Sequence, residues 1–188
     1  ELHIMPVNIH KIQYGSLDSK KAIGGILNNV IPNYKFTSIG ELNAVLNLYN
    51  ISAVQGKENS KMFLHKGLVY QIIDNDKKPV GVPIKASSFH FKPTLQQLEQ
   101  KFEANKKARI PDMKRVKNVI DLAFLKSAKI SLNELEKNLL KEGIAVVYRT
   151  SPQHLIYGIT YVDHTTKSVF NGSALGTPKA AKAIQERC

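Results

Sequence analysis

Histidine and cysteine come first in a search for chemistry, because they supply most transition-metal ligands and many nucleophile–base pairs. The chain has one cysteine, Cys188, and six histidines: His3, His10, His65, His90, His154 and His164. No HxH, HExxH or CxxC arrangement is present. His3 and His10 could meet across a fold, but isolated histidines usually satisfy surface or core contacts. The sequence therefore predicts no metal site.

Asp163 and His164 are adjacent and form the one candidate for a nucleophile–base pair. Neighbouring residues of a strand point to opposite faces, so these side chains could not readily bond to each other, and a turn is the simpler assignment. The phosphate-loop patterns GxGxxG and GxxxxGK[ST] and the hydrolase pattern GxSxG do not occur. We expect no catalytic residue and no cofactor in this chain.

Positive charge is the strongest chemical signal that remains. Lysine and arginine total 27 against 15 aspartate and glutamate residues, which gives a net charge of +12 and a pI near 9.7. Such a field favours nucleic acid or another polyanion as a partner. The alternative is a basic but inert solvated surface. Tyr70 and Tyr161 could stack on unpaired bases, although a tyrosine on a small sheet is more often a core residue.

The charge bias is sharpest between residues 101 and 117, where Glu103 and Asp112 are the only acids. The residues predicted to bind DNA are Lys101, Lys106, Lys107, Arg109, Lys114, Arg115 and Lys117. They could follow a phosphate backbone. On a helix Lys114 and Lys117 are neighbours while Arg115 points away, so a single basic face is not assured, and a solvated linker is the alternative.

The composition is that of a folded globular protein. With 188 residues, 43% of them hydrophobic and 22% charged, the chain can bury a core as one ordinary domain or two small ones. The lone Cys188 gives no sign of disulfides, and neither a membrane-spanning run nor a signal peptide is seen. We expect a cytoplasmic location without a membrane span. Because the chain starts at Glu1, we expect it to be a piece of a longer protein.

A segment that starts at Ser38 recurs at Ser131, at an offset of 93 residues. Each copy opens with Ser-x-x-Glu, the capping-box pattern that begins a helix. Apolar residues then recur at helical spacing, and Asn50 or Gly143 stands where a left-handed residue would end the helix. The alternative is chance similarity of two generic stretches, but matched starts and ends in one order are hard to obtain together.

β-rich runs follow each predicted helix. They lie at 51–54, 67–70 and 80–84 in the first copy and at 144–148, 158–161 and 168–170 in the second. Polar turns separate the runs, as in small antiparallel meanders, and a helix closes each copy. We therefore predict an α+β fold of two divergent helix–three-strand–helix repeats with small antiparallel sheets, joined by a linker helix.

Four parts make up the predicted organisation: an N-terminal extension with a strand and a short helix (1–33), the first α+β repeat (34–102), a basic linker helix (103–128) and the second α+β repeat (129–188). The short helix spans residues 19–31 and stops at Pro32. Pro111 suits the first turn of the linker helix, whose apolar residues recur at helical spacing. Whether the two repeats form one domain or two stays open.

Most of the chain resembles, in order, the region that follows the nuclease core of bacterial relaxase/mobilisation proteins. The matching segments are residues 34–51, 67–70, 83–87, 143–147, 157–164 and 171–176, among them Gly67-Leu-Val-Tyr70. Relaxases nick one strand at the transfer origin with a tyrosine that stays joined to the 5′ end, and a His-rich metal site polarises the phosphate. Tyr14 and the scattered histidines do not reproduce that pattern, so the resemblance implies no transesterase activity in this chain.

For this region the resemblance implies a role in the mobilisation of plasmids or conjugative transposons, with DNA of the origin-of-transfer region as the expected partner. The alternative is a protein-interaction module that docks relaxosome accessory proteins or secretion-channel partners. Its signature would be an exposed apolar patch larger than about a few hundred Å². An independent small nuclease ranks third, because it would need clustered carboxylates or histidines around a metal.

Overall fold

The computed structural model describes residues 10–15, 18–125 and 129–188. The helices are α1 (Ser19–Asn33), α2 (Ile39–Leu46), α3 (Lys61–Leu64), α4 (Leu95–Ala108), α5 (Met113–Leu125), α6 (Leu132–Lys141), α7 (Gly172–Leu175) and α8 (Ala181–Arg187). The strands are β1 (Ile51–Gln55), β2 (Leu68–Ile73), β3 (Pro79–Lys85), β4 (Ile144–Thr150), β5 (Ile156–Asp163) and β6 (Ser168–Asn171). Short 3-10 turns occupy Asn47–Tyr49, Ala86–Ser88, Ile110–Asp112 and Thr177–Lys179.

The chain divides into two compact units, a first that ends at Lys106 and a second that begins at Lys107. The first unit contains the sheet β1-β2-β3 and the second contains β4-β5-β6, and all neighbouring strands are antiparallel. The protein is therefore α+β with two small antiparallel sheets, which confirms the predicted fold class. Each unit has a helix before its sheet and a helix after it. That the two units descend from one repeat stays a prediction.

The helices that precede the sheets begin at serines, as the capping pattern predicts. In α6 the box is complete: Glu134 N–H donates to Ser131 Oγ at 3.3 Å, and Ser131 N–H donates to the Glu134 carboxylate at 2.8 Å. In α2 the Ser38 hydroxyl oxygen accepts from Glu41 N–H at 3.1 Å. The Glu41 carboxylate, however, accepts from the N–H and the hydroxyl of Thr37, at 2.7 and 2.8 Å, because Thr37 offers two donors to this buried acid.

Left-handed residues stand before the first strand of each sheet, as predicted. Asn50 has φ 62° and Gly143 has φ 79°, a region that these residue types tolerate better than others. The Asn50 carbonyl accepts from Ile73 N–H at 2.9 Å. The Gly143 carbonyl accepts from His164 N–H at the same distance. Each stop residue therefore also fixes the far end of the central strand.

The N-terminal region differs from the prediction. Helix α1 runs to Asn33 and contains Pro32 in its last turn. The proline removes only the N–H that would donate to the carbonyl of Asn28, an exposed residue whose carbonyl water can satisfy, so the helix need not stop earlier. Residues 10–14 form no strand, and the rest of the strand predicted there lies outside the described residues.

The predicted linker helix over 103–128 is not one helix. Helix α4 ends and α5 begins on either side of the 3-10 turn Ile110–Asp112. Pro111 stands at the start of that turn, where its fixed φ fits and no N–H is needed. The last three residues of the predicted helix lie outside the described part of the chain.

Helix α5 belongs to the core of the second unit. Its Val116 and Ile120 are fully buried in a cluster with Leu135 of α6, Tyr161 of β5 and Phe170 of β6. Burying one such aliphatic side chain stabilises a fold by about 1.5–3 kcal/mol. The sequence from 113 to 125 is therefore a structural helix of this unit and not a solvated connection.

Candidate nucleic-acid interface

The seven basic residues predicted to bind DNA lie on three local structures. Lys101, Lys106 and Lys107 are on α4, Arg109 precedes the 3-10 turn, and Lys114, Arg115 and Lys117 are on α5. The arginines and the lysines of this set have different surroundings in the structure. The two arginines bond to other parts of the second unit, whereas the five lysines keep at least part of their side chains at the surface.

Arg109 is buried against the outer strand β6. Its guanidinium donates to the Val169 carbonyl and lies 4.9 Å from the centre of the Phe170 ring. The bond satisfies a backbone oxygen at the edge of the sheet, and the ring contact adds a cation–π attraction. Arg109 therefore stabilises the second unit and does not present its charge to a phosphate.

Arg115 ties α5 to the turn between β5 and β6. Its Nε donates to Asp163 at 2.9 Å, and its Nη2 donates to the Glu142 carbonyl at 2.6 Å. Asp163 is fully buried and also accepts from Thr165 N–H at 3.0 Å and from the Thr166 hydroxyl at 2.9 Å. A buried carboxylate with a cationic partner and two further donors is well satisfied. Arg115 is therefore a structural residue of the second unit, although 31% of its side chain is exposed.

His164 lies within the same turn, as the simpler sequence interpretation predicts. Only 5% of its surface is exposed. Burial lowers its pKa to about 4, and the nearby charge of Lys167 acts in the same direction. The imidazole is therefore neutral at neutral pH, while the Asp163 carboxylate bonds to Arg115.

The lysines of the segment are more accessible. Lys106, Lys107 and Lys114 are exposed, and Lys101 and Lys117 are half-buried. The ammonium group of Lys106 pairs with Glu103 at 2.5 Å, an exposed pair of little energetic weight. Within the described residues, the ammonium groups of the other four lysines form no hydrogen bond or ion pair. Lys114 and Lys117, three residues apart, are neighbours on one side of α5.

Neither tyrosine considered for base stacking is available. Tyr70 is fully buried in the first unit, where its hydroxyl donates to the Pro93 carbonyl at 2.7 Å. Tyr161 is fully buried in the second unit, where its hydroxyl donates to the Lys179 carbonyl at 3.0 Å. Burial raises the pKa of both phenols well above the usual value. Both tyrosines are therefore core residues, which is the alternative to base stacking that the sequence offered.

Two residues of the second unit that the sequence analysis missed, Arg149 and Tyr157, lie at the loop end of the β4–β5 hairpin. Arg149 on β4 pairs with Gly158 on β5, and the next pair along the strands skips Tyr157, which therefore forms a bulge. Ile156 and Ile159 both pack on the core cluster. The alternation of a strand then turns the two residues between them, Tyr157 and Gly158, to the opposite face.

The Arg149 side chain lies across Gly158. A Cβ atom at position 158 would stand 2.6 Å from Nη2 and 2.8 Å from Cζ of Arg149, so the glycine leaves the space that the guanidinium occupies. The Nε atom is buried without a hydrogen-bond partner, and the guanidinium forms no ion pair within the described part of the chain. Tyr157, one residue away, is 67% exposed.

Hydrogen bonds in and beside the hairpin loop fix the backbone next to Arg149 and Tyr157. The Ser151 hydroxyl oxygen accepts from the N–H groups of Gln153 and Leu155, both at 3.3 Å. The side chain of Gln185 on α8 donates to the Ile156 carbonyl at 3.1 Å, just before the bulge. A glycine inside a strand often marks a bulge or a close approach, and this was the sequence signal that could have directed attention to residues 157 and 158.

Over residues 10–15, 18–125 and 129–188, no group of three or more His, Cys, Asp or Glu side chains is arranged to hold a metal ion. No helix in the same ranges is both long and apolar enough to cross a membrane.

Comparisons with known proteins add no relative. No protein-family model matches the chain, and neither a curated protein nor a solved structure matches it.

Proposed function

We propose that this chain is a non-catalytic DNA-binding region of a conjugative relaxase or mobilisation protein. The resemblance of its sequence to that family supports the assignment, and its net charge of +12 supports the DNA partner. One observation carries the DNA proposal: Lys107, Lys114 and Lys117 of the second unit have no counter-charge among the residues that the structure describes. Their ammonium groups are free to neutralise phosphates.

Phosphate contacts by lysine make binding salt-dependent, because each contact releases condensed counterions. Three such contacts would contribute about 2 to the slope of log affinity against log salt for a single strand, and about 3 for a duplex. Arg109 and Arg115 would contribute nothing to this slope, because their guanidinium groups bond within the protein.

The test is fluorescence anisotropy of labelled single-stranded and duplex oligonucleotides of equal length, at about 50 mM and about 200 mM salt. The triple variant Lys107→Gln, Lys114→Gln, Lys117→Gln should bind more weakly and lose the slope given above. A matched control removes the same charge from exposed lysines elsewhere in the second unit: Lys137→Gln, Lys141→Gln, Lys182→Gln. The control should retain the steeper slope.

Two results would count against the proposal. If the wild-type chain binds no oligonucleotide at the lower salt, where the electrostatic attraction is strongest, the chain does not bind DNA. If both triple variants lose affinity and slope equally, the attraction is a general effect of net charge and the chosen lysines make no local contacts.

A second candidate is the docking of relaxosome or secretion-channel proteins, and exposed apolar residues on α5 favour it. Leu122 is 52% exposed and Leu125 is 80% exposed, and their spacing of three places them on one side of the helix. Exposed apolar patches often mark protein contacts. The double variant Leu122→Ser, Leu125→Ser should leave DNA binding unchanged, which separates this candidate from the first.

A further inference from the structure

The strongest unexplained group is the guanidinium of Arg149. A guanidinium keeps its charge at any physiological pH and presents donors in a fixed planar fork. The described acids near the second unit's other cations already have partners: Asp163 bonds to Arg115, and Asp121 bonds to Lys179. Arg149 has a buried Nε with no acceptor, and leaving a donor in that state costs stability. The terminal Nη groups of Arg149 likewise have no partner among the described residues, so a phosphate from outside the chain can accept from them.

The neighbouring Tyr157 indicates which class of anion would fit beside Arg149. The bulge at Tyr157 turns an exposed aromatic ring to the face on which the Arg149 guanidinium lies. A phosphate suits the guanidinium fork, and a nucleobase suits a tyrosine ring. Together the two residues offer a donor group for a phosphate and a flat ring for a base, which are the two parts of a nucleotide.

We propose that Arg149 and Tyr157 form a binding site for one nucleotide of a single-stranded nucleic acid, with the phosphate on the guanidinium and the base stacked on the ring. This inference rests on the proposed DNA-binding function and adds its preference for a single strand. Bases in a duplex are already paired and stacked, so only an unpaired base can reach an exposed aromatic ring. The hydrogen bonds of Ser151 and Gln185 fix the backbone on both sides of Ile156, next to Tyr157.

The experiment compares three labelled probes of equal length by fluorescence anisotropy: an oligothymidylate, an abasic strand that has phosphates but no bases, and a duplex. The wild-type chain should bind oligothymidylate more tightly than the abasic strand. Tyr157→Ala should lower the affinity for oligothymidylate roughly five- to hundredfold, the loss typical of one stacked base, and leave the abasic strand unaffected. Tyr157→Phe should bind as the wild type does, because the ring remains.

Arg149 is tested through the salt dependence. Arg149→Gln should weaken binding of both single strands and reduce the slope of log affinity against log salt by about 0.7, the contribution of one single-strand phosphate contact. Arg149→Lys should restore the slope, because it keeps the charge. Tyr14→Ala is a matched control, since Tyr14 is a 56% exposed tyrosine of the first unit, and it should bind like the wild type. Circular dichroism establishes that each variant is folded.

The failure of this site is distinguishable from the failure of DNA binding as a whole. If wild type binds single strands but folded Tyr157→Ala binds them equally well, the nucleotide site is overturned while the proposed function stands. Equal wild-type affinity for oligothymidylate and for the abasic strand also overturns it. If the wild type binds none of the probes at low salt, both proposals are overturned together.

Discussion

The two units use basic residues differently. All four arginines, Arg109, Arg115, Arg149 and Arg187, belong to the second unit, and the residues before Lys107 contain only lysine as a permanent cation. Three of the four arginines bond within the protein, to a strand edge, a buried carboxylate and an aromatic ring. Basic residues therefore have two roles in this protein. The arginines largely stabilise the second unit, and the lysines, apart from the buried Lys179, supply the surface charge.

The two units also differ in the side chain that bonds to the outer strand of each sheet. In the first unit, the Asn43 amide covers the outer strand β1: it donates to the Ala53 carbonyl at 2.9 Å and accepts from Ala53 N–H at 2.7 Å. In the second unit, the Arg109 guanidinium covers the Val169 carbonyl of β6. A neutral amide satisfies a donor and an acceptor, whereas a guanidinium can only donate. The choice of residue therefore follows the backbone groups that each edge exposes.

The largest expected effect is the loss of Arg115. Arg115→Ala removes the cationic partner of Asp163 and leaves a fully buried carboxylate, which should lower the free energy of unfolding by about 3–5 kcal/mol. Urea unfolding at neutral pH measures the change. In the turn after β2 of the first unit, Asp74 accepts from the backbone N–H groups of Asp76 and Lys78.

Two variants sharpen this test. Asp74→Ala should cost far less than Arg115→Ala, because the Asp74 carboxylate is less buried and accepts from local backbone N–H groups. Arg115→Lys keeps the charge but loses the fork, so it should fall between wild type and alanine. Equal losses for Arg115→Ala and Asp74→Ala would contradict the view that an ion pair distinguishes the second unit.

The next effect is a pH dependence located in the second unit. The pKa of His164 is about 4 in the folded protein, against 6.5 for an ordinary histidine. As the pH falls from 6.5 towards 4, the unfolded chain takes up a proton that the folded chain does not. The free energy of unfolding therefore falls over this range, by about 3 kcal/mol in total. Above pH 6.5 this group adds no slope.

The matching position of the first unit provides the control. Ile73 and His164 both donate their N–H to the left-handed residue before the first strand, but isoleucine does not titrate. His164→Ile should therefore flatten the stability curve between pH 6.5 and pH 4, as measured by urea unfolding at several pH values. Parallel curves for the two proteins would show that the folded and unfolded pKa values of His164 are alike.

Local sequence patterns predicted much of the fold. The capping serines, the left-handed residues at 50 and 143 and the β-rich runs all depend on interactions within a few residues, which the sequence displays directly. The prediction of one linker helix over 103–128 was wrong, because the 3-10 turn Ile110–Asp112 interrupts it. The apolar spacing of α5 was recognised, but only the packing of Val116 and Ile120 shows that the helix belongs to the second unit's core.

The candidate site was less predictable. Counting charge could not separate Arg115 from Lys114, because the partner that neutralises Arg115 lies 48 residues further along the chain. The placement of Arg149 next to Tyr157 depends on a strand register and a bulge, and neither residue belongs to a charge cluster in the sequence. Long-range contacts therefore decided which basic residues remain available to a ligand.

The smallest expected effect concerns Arg187, the last arginine in the sequence. Arg187 at the end of α8 places its guanidinium carbon 3.7 Å from the centre of the Phe124 ring on α5. At an exposed position such a contact is worth about 0.5–1 kcal/mol, so Arg187→Gln should lower the free energy of unfolding by that amount. Lys182→Gln on the same helix removes an equal charge without a ring beneath it and should cost close to nothing. If the two variants unfold at the same urea concentration, Arg187 does not share the structural role of Arg109 and Arg115, and the division between building arginines and surface lysines would be narrower.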